Sequence, residues 1–204
     1  MKKITNVAFI LDKSGSMDVI KDSTISGFNE YIKTLKKDKK SSYLFTLTMF
    51  DTEISTPILE KKITDIDDLN DKTYNPSGMT ALYDAVVTTV KKIENKKDKM
   101  LVVIMTDGEE NSSREYTQEN LKSMVKKLEA KKNWSFVFLG ANQDSWLNAQ
   151  KFGFNKGNVV NFVASNQGVK NAMRNVGMST MSFSASACNT TQDFFQGKEN
   201  IDEE

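Results

Sequence analysis

The chain has 204 residues, enough for one sizeable domain with or without a tail. Its formal charge is +1, which argues against a nucleic-acid or membrane binder held by bulk charge. It has no histidine and one cysteine, Cys188, so intrachain disulfides, histidine-ligated or four-cysteine zinc sites, and Ser-His-Asp or Cys-His catalysis are excluded.

What remains must run on carboxylates, hydroxyls, lysines or a hard metal ion. No apolar stretch approaches the ~18 residues needed to cross a bilayer. Met1-Lys2-Lys3 looks like the start of a signal peptide, but the apolar run behind it is short and stops at Asp12. A cytoplasmic location is therefore expected.

Residues 4–11 read as a buried strand, and the spacing of Ile20, Ile25, Phe28, Ile32 and Leu35 predicts a helix over about 19–37. Residues 43–50 alternate and carry β-formers, so they read as a second strand. Asp51-Thr52 turns the chain into a third, about 53–63, and Pro57 places that one at a sheet edge, antiparallel to the second. A polar connection leads to Tyr74-Asn75-Pro76-Ser77-Gly78-Met79-Thr80, which has the composition of a loop. A helix begins near Thr80, with Leu82, Ala85, Val86, Val90 and Ile93 on one face.

Met100 to Met105 is a continuous apolar run, as expected of a central parallel strand buried on both faces. A helix over 117–131, a strand over 134–139, a short helix at about 144–151 and a short strand at about 158–163 follow. A last amphipathic segment spans about 166–182, weakened by Gly168 and Gly177. The alternation predicts a doubly wound, mostly parallel, Rossmann-like α/β sheet with one antiparallel edge strand and helices on both faces. Residues 1–185 are expected to form one domain, and 186–204 a polar, acidic, loosely held tail.

Three polar clusters fall at comparable places in this scheme. Asp12, Ser14 and Ser16 follow the first strand, Thr80 opens a helix, and Asp107 follows the strand at 100–105. In a parallel sheet, strand carboxyl ends and helix amino ends share one face, where ligands bind. Gly15 permits the tight turn that aims the first cluster at one point. The donors are all oxygens, the ligands that hard divalent cations take, about six for magnesium. A plain strand-to-helix turn with serine caps accounts for the first cluster taken alone.

These residues carry a resemblance. Asp12-Lys13-Ser14-Gly15-Ser16, Gly78-Met79-Thr80-Ala81-Leu82 and Thr106-Asp107-Gly108 resemble the motifs of von Willebrand factor A domains that carry a metal-ion-dependent adhesion site. The resemblance covers about residues 4–185 and looks closest to bacterial and phage cytoplasmic members. It implies that Ser14, Ser16 and Thr80 contact Mg2+ or Mn2+, with Asp12 and Asp107 acting largely through waters and hydrogen bonds to the serines. It also implies an open coordination position filled by an Asp or Glu of a partner protein, so that the function is binding rather than catalysis.

Other residues admit plainer readings. Glu109 and Glu110 adjoin Asp107, where they either tune the ion or simply favour a nearby helix start. Asp84 lies one turn beyond Thr80, and Asp51 reads as a turn residue. Lysines at 36–40, 91–99 and 126–132 follow predicted helix ends and read as a solvated basic pole rather than a nucleic-acid surface. Met49, Met100 and Met105 are expected in the core, while Met17 and Met79 flank the metal loops and are expected to be exposed there as the two methionines that suit partner contact. Trp134 and Trp146 are read as packing residues. Two rival functions remain. A magnesium-dependent phosphatase would use Asp12 as nucleophile, but it needs a second acid two residues on, where Ser14 stands. A metal-independent assembly protein would bind regardless of chelators.

Overall fold

A computed structural model describes residues 4–94, 98–141 and 149–196. Six strands form one sheet: β1 (Ile4–Asp12), β2 (Ser42–Phe50), β3 (Ile54–Lys62), β4 (Lys99–Thr106), β5 (Trp134–Gly140) and β6 (Val159–Asn161). Their order is β3-β2-β1-β4-β5-β6, parallel throughout except for the edge strand β3. The chain moves outward from β1 to β2 and β3, then returns to lay β4 beside β1. That reversal opens a crevice at the carboxyl ends of β1 and β4.

Helices α1 (Lys21–Lys37) and α4 (Asn166–Ala185) cover one face, and α2 (Leu82–Ile93) and α3 (Gln118–Glu129) cover the other. The two-residue period of a strand divides β1 between them. Phe9 and Leu11 pack toward α1 and α4, while Ala8 and Ile10 pack toward α2. Burial on both faces is why Val7 to Leu11 of β1 and Met100 to Met105 of β4 read as continuous apolar runs rather than alternating ones. On the first face Phe28 of α1 meets Phe9 edge-on, with ring centroids 5.6 Å apart. β3 departs from regular pairing, with register shifts against β2 and a positive φ of 51° at Glu60. Such irregularity, with Pro57, keeps an exposed edge from templating another strand.

Several expectations need correction. The helix expected from residue 19 is two elements, a 3-10 turn over Gly15–Ile20 and then α1. The strand expected over 158–163 is the three-residue β6, preceded by a 3-10 turn at Lys156–Asn158. The last segment is one continuous helix through both its glycines, and at Gly168 a Cβ would stand 2.2 Å from the Val163 carbonyl oxygen, so that close approach requires glycine. Ser165 caps that helix by accepting from the Gly168 N–H at 3.1 Å.

The chain beyond Ser184 is not held loosely over its described part. Phe194 and Phe195 are buried, the Phe194 N–H donates to Asn158 Oδ1 (2.9 Å) and the Phe195 N–H to the Gly157 carbonyl (3.0 Å). Lys99 is not a solvated helix-end lysine either. It is 4% exposed, and its Nζ donates to the carbonyls of Phe183 (2.8 Å) and Ser186 (3.2 Å), capping the carboxyl end of α4. Most of the short helix expected at 144–151, together with Trp146, lies outside the described residues, as do residues 197–204.

Candidate metal site

Register places the first elements of the site. Leu11 pairs with Met105 across β1 and β4, so Asp12 and Thr106 come level at the carboxyl edge. There Thr106 Oγ1 donates to Asp12 Oδ2 at 2.5 Å. The other carboxylate oxygen, Oδ1, accepts the Ser14 N–H at 2.7 Å. From below, the buried Tyr74 hydroxyl donates to the Asp12 carbonyl at 2.7 Å. Asp12 is thus completely buried and held at three points, which fixes the direction in which the chain leaves β1.

The next residues lead outward. Ser14 Oγ and Ser16 Oγ are 3.2 Å apart, and Ser16 Oγ donates to Asp107 Oδ1 at 2.7 Å. Ser14 is buried, Ser16 exposed and Asp107 half-buried, so the cluster opens to solvent on the Ser16 side. Thr80 joins from the loop before α2. A Cβ on Gly108 would lie 3.3 Å from Thr80 Oγ1 and 3.7 Å from Ser16 Oγ, so the two hydroxyls flank one small space beside Gly108. The structure therefore brings Asp12, Ser14, Ser16, Thr80 and Asp107 together from three loops.

The Thr80 loop is tied to its neighbours by backbone. The Gly15 N–H donates to the Gly78 carbonyl at 3.1 Å, and the Ala81 N–H to the Asp51 carbonyl at 2.9 Å. Gly78 has φ of +69°, a conformation that favours glycine, and a Cβ there would meet Thr52 Oγ1 at 2.8 Å. On the other side, Asn111 Oδ1 accepts the Thr80 N–H at 2.8 Å and the Asn111 N–H returns to the Thr80 carbonyl at 3.0 Å.

The electrostatics suit a cation. Burial pushes the Asp12 carboxyl up to about 6, against the hydrogen bonds from Thr106 and Ser14, and the charge of Asp107 adds to the rise. Burial also raises Asp107, opposed by the Ser16 hydroxyl. Two acids whose charge burial disfavours stand beside three hydroxyls and form an all-oxygen donor set. Oxygen donors of this kind fit a hard divalent ion. Among the described residues no cluster of three or more Asp, Glu or Cys provides a rival site.

The neighbouring acids do other work. Glu110 accepts from the N–H groups of Tyr83 (2.9 Å) and Ser112 (2.8 Å) and from Ser113 Oγ (2.6 Å), which ties the loop after β4 to the first turn of α2. Asp84 accepts from the backbone of Arg114 (2.7 Å) and Tyr116 (2.8 Å) and so shapes the same loop from below. Asp51 makes the expected turn, accepting the Glu53 N–H at 2.6 Å, and also pairs with Lys13. Met17 is fully buried rather than available to a partner, whereas Met79 is 51% exposed. Thr106, Tyr74, Lys13 and Asn111 are supporting residues that the sequence reading did not single out. For Thr106 a signal existed, a hydroxyl ending an apolar run next to the acid motif.

No protein-family model matches the sequence, and no curated protein matches it. Solved structures do resemble the fold. Proximal thread matrix protein 1 of the mussel byssus superposes with a TM-score of 0.62 at 14% identity, over 88% of this chain and 47% of that one. The manganese-loaded TRAP protein of Plasmodium vivax gives 0.58 at 19% identity, over 79% and 69%. A von Willebrand factor type A structure from Catenulispora acidiphila gives 0.56 at 12% identity, over 88% and 43%. The chain thus spans less than half the length of two of these three. Sheet order, the single antiparallel edge strand and these superpositions together give the chain a von Willebrand factor A-like fold.

Proposed function

We propose that the chain is a divalent-cation-dependent protein-binding domain. Ser14, Ser16 and Thr80 would hold Mg2+ or Mn2+ through neutral hydroxyls, while Asp12 and Asp107 would act mainly through waters and hydrogen bonds to the serines. A bound ion supplies Lewis acidity at this rim. With few charged groups directly on it, an ion held there would stay electrophilic toward an Asp or Glu carboxylate from a partner protein. The observation that carries the reading is the convergence of two acids and three hydroxyls from three loops around the space beside Gly108. The manganese-loaded state of one structure with this fold supports it.

The phosphatase alternative fares worse. Both Asp12 carboxylate oxygens accept hydrogen bonds within the protein, and Ser14 stands where such a mechanism needs its second acid, so Asp12 is poorly placed as an attacking nucleophile. The test is a peptide-display selection on the immobilised domain in magnesium, with EDTA elution. Enriched peptides should share an Asp or Glu and lose binding to Ser14→Ala. Enrichment that ignores EDTA would sink the metal mechanism and favour a metal-independent assembly role.

A further inference from the structure

Lys13 lies between two proposed metal ligands in sequence, an awkward place for a cation. Its ammonium is paired with Asp51, at side-chain exposures of 20% and 7%. Burial raises the Asp51 carboxyl, but Lys13, the Glu53 N–H and Ser77 outweigh it and hold the group below its ordinary value. The same two residues gather the loops. The Lys13 N–H donates to the Phe50 carbonyl (2.7 Å), and the Lys13 carbonyl accepts the Ser77 N–H (2.8 Å). Ser77 Oγ donates to Asp51 Oδ2 (3.1 Å), the Asp51 carbonyl accepts the Ala81 N–H (2.9 Å), and Thr52 Oγ1 accepts the Met79 N–H (2.9 Å). Every residue from Ser77 to Ala81 except Thr80 is thus bonded to, or packed against, residues 13–15 or 51–52.

We propose that Lys13 and Asp51 are a positioning pair for the cation site: they set the Thr80 loop before the ion arrives, and Asp51 draws the charge of Lys13 away from the ion. The inference rests on the metal reading above and adds two residues to it. The two roles give a distinctive order of effects. Losing Lys13 loosens the loop. Losing the Asp51 charge loosens it and also frees a cation one residue from two ligands, where like charges repel. Removing Lys13 as well then relieves part of the damage.

The test uses Mn2+ titration followed by electron paramagnetic resonance, with amide hydrogen exchange of residues 76–81 in EDTA. Lys13→Met keeps the aliphatic stem, and Asp51→Asn keeps an oxygen for the Glu53 N–H. Lys13→Met should weaken Mn2+ binding about tenfold, Asp51→Asn further, and the double variant should bind better than Asp51→Asn alone. Lys13→Arg should stay within about threefold of wild type. Exchange at 76–81 should quicken in Lys13→Met and Asp51→Asn without metal. Unchanged exchange and unchanged affinity in both single variants would overturn the proposal. So would a double variant weaker than either, which is what loss of fold alone produces. If wild type itself binds no Mn2+, the metal reading falls, and exchange in EDTA still decides whether the pair sets the loop.

Discussion

Replacing Asp12 with Asn should stabilise the metal-free protein at neutral pH. Asp12 is fully buried, and burial raises its carboxyl from 3.8 to about 6. A folded-state value above the unfolded one means that the native state holds the proton more tightly. Stability from this group therefore falls as pH rises through the window from about 4 to about 6, and the full cost is present above it. At 1.36 kcal/mol per unit, a gap of roughly two units is about 3 kcal/mol at pH 8.

Asparagine removes the charge and keeps the shape. Its oxygen still accepts the Ser14 N–H, and Thr106 Oγ1, which also reaches the Gly108 carbonyl at 3.1 Å, can turn its hydrogen there and accept from the new amide. For a domain of this size, about 3 kcal/mol is roughly 6–12 °C in melting temperature. The assay is thermal unfolding of both proteins from pH 4 to 8, in EDTA and in magnesium. In EDTA, Asp12→Asn should melt higher at pH 8, and the gap should close toward pH 4. In magnesium, wild type should rise and the variant should not. A variant that melts below wild type at pH 8 in EDTA would refute the reasoning, as would a gap independent of pH.

Two further substitutions separate site from scaffold. Gly108→Val fills the space between Thr80 Oγ1 and Ser16 Oγ and should reduce Mn2+ affinity more than tenfold. Its stability in EDTA should change by no more than about 1 kcal/mol, as read from urea unfolding. Phe195→Ala removes a buried ring that anchors the segment after α4 and should cost about 3–5 kcal/mol, leaving the affinity of the surviving folded protein unchanged. A Phe195→Ala protein with wild-type stability would mean that this segment does not hold the domain.

The site motifs are legible in the sequence because they interrupt periodic patterns. Asp12 ends an apolar strand, Thr80 sits just ahead of an amphipathic helix and Asp107 follows a run buried on both faces, so chain order alone puts them on one edge. Their supports are not legible, because those depend on which strands become neighbours. Thr106 meets Asp12 only when β4 lies beside β1, and Tyr74 reaches the Asp12 carbonyl from a loop that reads as merely polar. Lys13 and Asp51 meet because β2 flanks β1 on its other side. Lys99 misleads because it follows α2 in sequence yet caps α4 in space. Phe194 and Phe195 escape notice because two aromatics in a polar stretch carry no periodicity.

The most direct test of the central claim is a titration of Mn2+ into wild type and Ser14→Ala, followed by electron paramagnetic resonance with magnesium as competitor. Wild type should bind a single ion that magnesium displaces, and Ser14→Ala should bind at least tenfold more weakly while melting near wild type in EDTA. Ser14→Ala binding as tightly as wild type, or wild type binding none at millimolar Mn2+, would contradict it.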